Sequence, residues 1–196
     1  MNPSDLLRAA FDHAVEAAQA ECLIPYLNEL PAIDGKTRFL VVGKAAAQHA
    51  SIAAECLGDI EGLCIIPKGH EVSTTLTVIE ASHPVPDAGS LQAAGAALAL
   101  AQSLGPDDRL VCLISGGGSA LMSAPLVSMD PDLKMRTHQA LLAAGATISE
   151  LNTVRKPLSL VKGGRLVEAC QGHVLNFLVS DVPGDRVEFI ASGPTV

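Results

Sequence analysis

The chain has 196 residues, of which 48% are hydrophobic and only 3% aromatic, and it carries a formal net charge of −8. An acidic chain repels phosphate backbones, which excludes a nucleic-acid binder, and no apolar run reaches the ~18 residues of a membrane span. The length suits one well-buried domain, with Ala, Leu and Val packing where aromatic rings would elsewhere.

The amino terminus is amphipathic and acidic, so no secretory leader is expected. Ser4 is a candidate cap for a first helix ending near Ala20, with Leu7, Ala10, Phe11, Ala14 and Val15 on one face. Thr37–Val42 reads as a buried strand, and Gly43 leads into an alanine-rich helix over Lys44–Leu57 that Gly58 terminates. Leu63–Ile66 and Leu76–Glu80 read as further strands. Between them and a helix over Ala88–Leu104 stands Ser82-His83-Pro84-Val85-Pro86-Asp87, made rigid by its two prolines.

Arg109–Ile114 is the strongest candidate for a core strand, and it opens into Ser115-Gly116-Gly117-Gly118-Ser119. Helices over Leu133–Ala144 and Leu158–Ala169 follow, then a last strand over Val174–Val179 that runs into Ser180-Asp181-Val182-Pro183-Gly184-Asp185. Strands and helices alternate, which predicts an α/β fold: a Rossmann-like, doubly wound, mainly parallel sheet with helices on both faces. Loops leaving the carboxyl ends of such strands share one edge, and that edge is the candidate site. The five cysteines are odd in number and lack metal-ligand spacing, which suggests reduced thiols in a cytoplasmic protein.

Three glycines directly after a core strand allow backbone N–H groups to turn inward as an anion nest, so Ser115 to Ser119 form a candidate phosphate loop. A nucleophile elbow or a dinucleotide fingerprint would each need glycine where Leu121 stands, and Gly43-Lys44 lacks the rest of a Walker loop. Lys44 at a helix start adds its charge to the positive end of the macrodipole, a cost that facing a polyanion would explain, though a solvated lysine is an equal alternative. Asp181 and Asp185 flank a Pro-Gly turn beyond a strand, where carboxylates serve as a base, hold Mg²⁺ or simply stabilise the turn. Were their segment helical, Arg155, Ser159 and Lys162 would share a face that binds an anion or faces solvent. His83 either bonds substrate or fixes its loop.

Seven blocks, taken in order, resemble one family. They are Val42-Gly43-Lys44-Ala45-Ala46, His83-Pro84-Val85-Pro86-Asp87, Ser115-Gly116-Gly117-Gly118-Ser119, Asn152-Thr153-Val154-Arg155-Lys156, Lys162-Gly163-Gly164-Arg165-Leu166, Ser180 to Asp185, and Ile190-Ala191-Ser192-Gly193-Pro194-Thr195. Together they resemble the amino-terminal domain of the class II, MOFRL-type glycerate 2-kinases, a family also labelled hydroxypyruvate reductase. The resemblance implies ATP and Mg²⁺ as cofactors, D-glycerate as substrate and 2-phospho-D-glycerate as product. It implies Lys44 as the cation on the transferring phosphate and Asp181 as base, with Asp185 left to the metal. Ser115, Gly116, Gly117, Gly118 and Ser119 would line the nucleotide phosphates, and Arg155, Lys162 and His83 would contact substrate. Pro157 stands where the family has histidine. The family continues into a second domain beyond the residue matching Val196, so a second domain or a homodimer partner is expected to complete the cleft. The competing readings are a hydroxypyruvate reductase and a truncated, non-catalytic nucleotide-binding module.

Overall fold

The computed structural model describes residues 2–126 and 129–196. In chain order its elements are α1 (Pro3–Ala17), α2 (Ile24–Asn28), β1 (Thr37–Val42), α3 (Ala46–Leu57), β2 (Gly62–Pro67), β3 (Thr77–Ala81), α4 (Ala88–Gln102) and β4 (Arg109–Ser115). There follow α5 (Gly118–Leu121), α6 (Pro131–Ala143), α7 (Ile148–Arg155), α8 (Arg165–Glu168) and β5 (His173–Val179), with short 3-10 turns at Ala20–Leu23 and Ile190–Ser192.

The five strands form one sheet in the order β3-β2-β1-β4-β5. Every pairing is parallel, as the near-continuous apolar runs require of strands covered on both faces. Alternate residues divide the core. Leu40, Val42, Leu110, Cys112 and Ile114 meet α4 on one face, whereas Phe39, Val41, Val111 and Leu113 meet α2 and α3 on the other. Ala93, Ala94, Ala97 and Ala101 of α4 are fully buried, so small side chains let that helix lie close on the sheet. Each large aliphatic side chain buried this way contributes about 1.5–3 kcal/mol.

Asp87 starts α4 with a capping box, accepting from the Ser90 N–H at 3.0 Å while Ser90 Oγ accepts from the Asp87 N–H. The Lys68 ammonium, 2.6 Å away, together with the Ser82 and Ser90 donors holds the Asp87 carboxyl far below the usual carboxylate range. The rigid loop before it contains a cis His83-Pro84 bond.

Several helices differ from expectation. The side chain of Asn2, not Ser4, caps α1, because Pro3 takes the first helical position and leaves Ser4 N–H to bond Asn2 Oδ1. None of the residues of α1 is buried, and Leu7 and Phe11 stand 72% and 68% exposed. Helix α3 begins at Ala46, so Lys44 lies in the turn before it. The helix expected over Leu158–Ala169 shrinks to α8, since Gly163 and Gly164 take left-handed φ values of 60° and 79°. Pro157 lacks an N–H for a helical ladder, and Arg165 instead donates to the carbonyls of Lys156, Pro157 and Ser159. Arg155, Ser159 and Lys162 therefore do not share a helical face.

Among the described residues no helix is long and apolar enough to cross a membrane. All five cysteines are free, and burial pushes the Cys64 thiol up to about 12. His49 on α3 is 1% exposed and its Nδ1 has no hydrogen-bond partner among the described residues, so burial lowers its pKa to about 4. The unfolded chain takes up that proton first, near its ordinary value of 6.5. Stability is therefore full above pH ~6.5 and falls by about 3 kcal/mol as pH drops towards 4. Urea unfolding at pH 7 and pH 5 is expected to show about 2 kcal/mol of this loss in the wild type and a flatter profile in His49→Gln; equal slopes would contradict it.

Candidate functional site

Strand β1 is flanked by β2 on one side and β4 on the other, so the chain reverses its winding there and leaves a crevice at the carboxyl ends of β1 and β4. The register sets Val42 level with Ile114, and Ser115 level with Val179. The loops after β1, β4 and β5 thus emerge side by side. Two of them are stitched together: the Lys44 N–H donates to the Gly116 carbonyl at 2.8 Å, and the Ala45 N–H to Ser115 Oγ at 3.2 Å. Gly43, at φ +133°, makes this closure possible, since a Cβ there would lie 2.0 Å from Ser115 Oγ.

The Lys44 ammonium pairs with Asp181 Oδ2 at 3.2 Å, with the two side chains 53% and 54% exposed. Below them lies the glycine loop. A Cβ on Gly116 would fall 1.9 Å from Asp181 Oδ2, and one on Gly117 would fall 3.0 Å from Lys44 Cγ and 3.2 Å from His83 Cδ2. Lys44, His83 and Asp181 therefore surround two glycines that have no side chain to keep them apart. Among the described residues the N–H groups of Gly116, Gly117, Gly118 and Ser119 have no protein acceptor. Four free consecutive donors beside an exposed ammonium form a concavity suited to a polyanion.

Behind this loop lies a second cluster. Lys162 is 1% exposed and donates to both the carbonyl (2.7 Å) and the hydroxyl (2.9 Å) of Ser119. Arg155 donates to the same hydroxyl at 3.3 Å, and burial lowers its guanidinium pKa. The structure thus places Arg155 and Lys162 together, against the glycine loop rather than out in the crevice. Ser192 Oγ lies 2.8 Å from Ser119 Oγ and donates to Asn152 Oδ1 at 2.9 Å. Sequence reading gave no role to Asn152 or Ser192. Both lie inside the blocks that carry the family resemblance, but 40 positions apart, so periodicity could not join them.

Asp185 lies in an exposed turn at φ +48°, and its carboxylate has no hydrogen bond or ion pair among the described residues. No group of three or more His, Cys, Asp or Glu side chains able to hold a metal occurs among those residues. The described residues therefore form no magnesium cage of their own.

A fully parallel, doubly wound sheet, with its glycine loop, lysine and aspartate at the switch point, defines a Rossmann-like α/β domain whose strand ends can receive an anion. The chain belongs to the DUF4147 family, described as a domain of unknown function, which matches residues 6–196. An Agrobacterium vitis protein provisionally named a hydroxypyruvate reductase is 46% identical over 97% of this chain and 44% of its own length. A glycerate 2-kinase of Pyrococcus horikoshii is 42% identical over 84% of this chain and 38% of its own. The crystal structure of a glycerate kinase from Thermotoga maritima superposes with a TM-score of 0.89 at 36% identity, covering 98% of this chain and 48% of that one. The chain thus spans less than half the length of these relatives.

Proposed function

We propose that this chain is the nucleotide-phosphate half of a cytoplasmic glycerate 2-kinase, which phosphorylates D-glycerate with ATP to give 2-phospho-D-glycerate. The reading is carried by one observation: the Lys44–Asp181 pair, 3.2 Å apart, stands over a glycine loop with four free N–H donors. It gains support from relatives named glycerate kinases that keep this fold. In this reading the N–H groups of Gly116, Gly117, Gly118 and Ser119 receive the nucleotide phosphates, while Ser115 braces the loop through Ala45. Lys44 stabilises charge on the transferring group, since one of its three donors is used by Asp181 and the others are available. Asp181 takes the proton of the glycerate 2-hydroxyl, the oxygen forms its bond to the γ-phosphorus, and the bond to the ADP oxygen breaks. His83 borders the same hollow and contacts substrate. Mg²⁺, where bound, would offset the negative charge of the nucleotide, and Asp185 is the carboxylate of this chain that would help hold it.

A second domain or a second copy completes the cleft, because phosphoryl transfer needs charge neutralisation from every side. The hydroxypyruvate reductase reading has the names of two Agrobacterium vitis relatives behind it. Against it, the position where a dinucleotide fingerprint needs its third glycine is Leu121, fully buried in the core. Incubation with ATP, Mg²⁺ and D-glycerate is expected to give ADP and 2-phospho-D-glycerate by phosphorus NMR. Failure to form product, both by this chain and by a polypeptide extended to the relatives' length, overturns the proposal.

A further inference from the structure

The Ser119 hydroxyl is surrounded by donors. Lys162 donates to it at 2.9 Å and Arg155 at 3.3 Å, and a hydroxyl oxygen has two lone pairs, so these cations fill its acceptor capacity. Its own proton is left for Ser192 Oγ, 2.8 Å away. Ser192 accepts that proton's bond because its own proton goes to Asn152 Oδ1 at 2.9 Å. The order is therefore fixed: Lys162 and Arg155 to Ser119, Ser119 to Ser192, and Ser192 to Asn152. Lys162, Asn152 and Ser192 are 1%, 3% and 2% exposed, so water does not readily replace a missing member.

The backbone holds this relay in place. A Cβ on Gly118 would fall 2.8 Å from Ala191 Cβ, and the N–H groups of Gly163 and Gly164 donate to the carbonyls of Ser192 and Gly193 at 3.2 and 2.9 Å. Ala191 and Ser192 adopt left-handed φ values of 50° and 63°, which aim the Ser192 hydroxyl between the glycine loop and α7.

We propose that Ser192 and Asn152 are positioning residues for the phosphate loop, and that the Ser119 hydroxyl, saturated by their relay, fixes the loop instead of touching the nucleotide. What the loop holds rests on the kinase reading; that the relay holds the loop does not. Ser192→Gly suits the left-handed backbone while removing the hydroxyl. Asn152→Ala breaks the relay at its far end, on α7.

Calorimetric titration with Mg-ATP and hydrogen exchange of the Ala120, Leu121 and Met122 amides, which donate to the carbonyls of Gly117 and Gly118 and so report on the loop, test the proposal together. Each variant is expected to bind Mg-ATP about tenfold more weakly, with faster loop exchange, and the double variant is expected to lie within about twofold of the single ones because both cut one relay. Lys44→Ala is the contrast, weakening Mg-ATP binding while leaving loop exchange unchanged. Folded variants with wild-type exchange and affinity overturn the proposal, and if Ser192→Gly does not fold, Asn152→Ala decides alone. Absence of Mg-ATP binding both by the wild-type chain and by a polypeptide extended to the relatives' length overturns the kinase reading; the exchange comparison then still decides whether the relay holds the loop.

Discussion

Lys44→Ala is expected to slow glycerate phosphorylation by about 10²–10³-fold, the usual loss when one preorganised donor to developing charge is removed. Thermal stability is expected to stay close to that of the wild type. The Lys44–Asp181 pair is half exposed on both sides, and such pairs contribute about 0–1 kcal/mol to folding. The fold gains little from this lysine, whose backbone N–H, the part that stitches β1 to the glycine loop, is kept by alanine. Kinetics and a melting curve on the same preparation separate the two effects. A variant that melts several degrees lower, or one that keeps full turnover, would remove Lys44 from the proposed chemistry.

The parts of this site that sequence reveals are those generated by strand ends. Arg109–Ser115 announces itself through an unbroken apolar run, and every residue of β4 is buried. In a parallel sheet its exit loop must share an edge with the loops after Val42 and Val179, so the meeting of Lys44, Gly116 and Asp181 follows from topology. Less legible were features set by single contacts. A helix over Leu158–Ala169 fits the apolar periodicity, yet Pro157 and two left-handed glycines, Gly163 and Gly164, break it and free Arg165 to bond three carbonyls. Spacing joins Arg155 and Lys162 only through a helical face, which the structure lacks; they meet instead on Ser119. Asn152 and Ser192 join only through space, and no spacing rule reaches across 40 residues. In α1 the amphipathic stripe was visible, but a periodic pattern does not say what covers it, and here Leu7 and Phe11 remain in solvent.

Gly43→Ala is expected to cost at least about 4 kcal/mol of stability, a loss reached only when a core contact has no way to relax. At φ +133° the residue lies where L side chains are rarely found, and its Cβ would meet Ser115 Oγ at 2.0 Å and the Ser115 carbonyl oxygen at 2.7 Å. The hydroxyl is short and already accepts from Ala45, and the carbonyl belongs to the buried end of β4, so relief requires the two central strands to part. Gly58→Ala provides the comparison. Its φ of +78° is also left-handed, but nothing lies within 4 Å of the added Cβ. There the backbone preference acts alone and is expected to cost about 1–2 kcal/mol. Urea unfolding of both variants reads the difference directly. If Gly43→Ala were no worse than Gly58→Ala, the loops after β1 and β4 would not be locked together at the switch point, and Lys44 would lose the anchorage that sets it over the glycine loop.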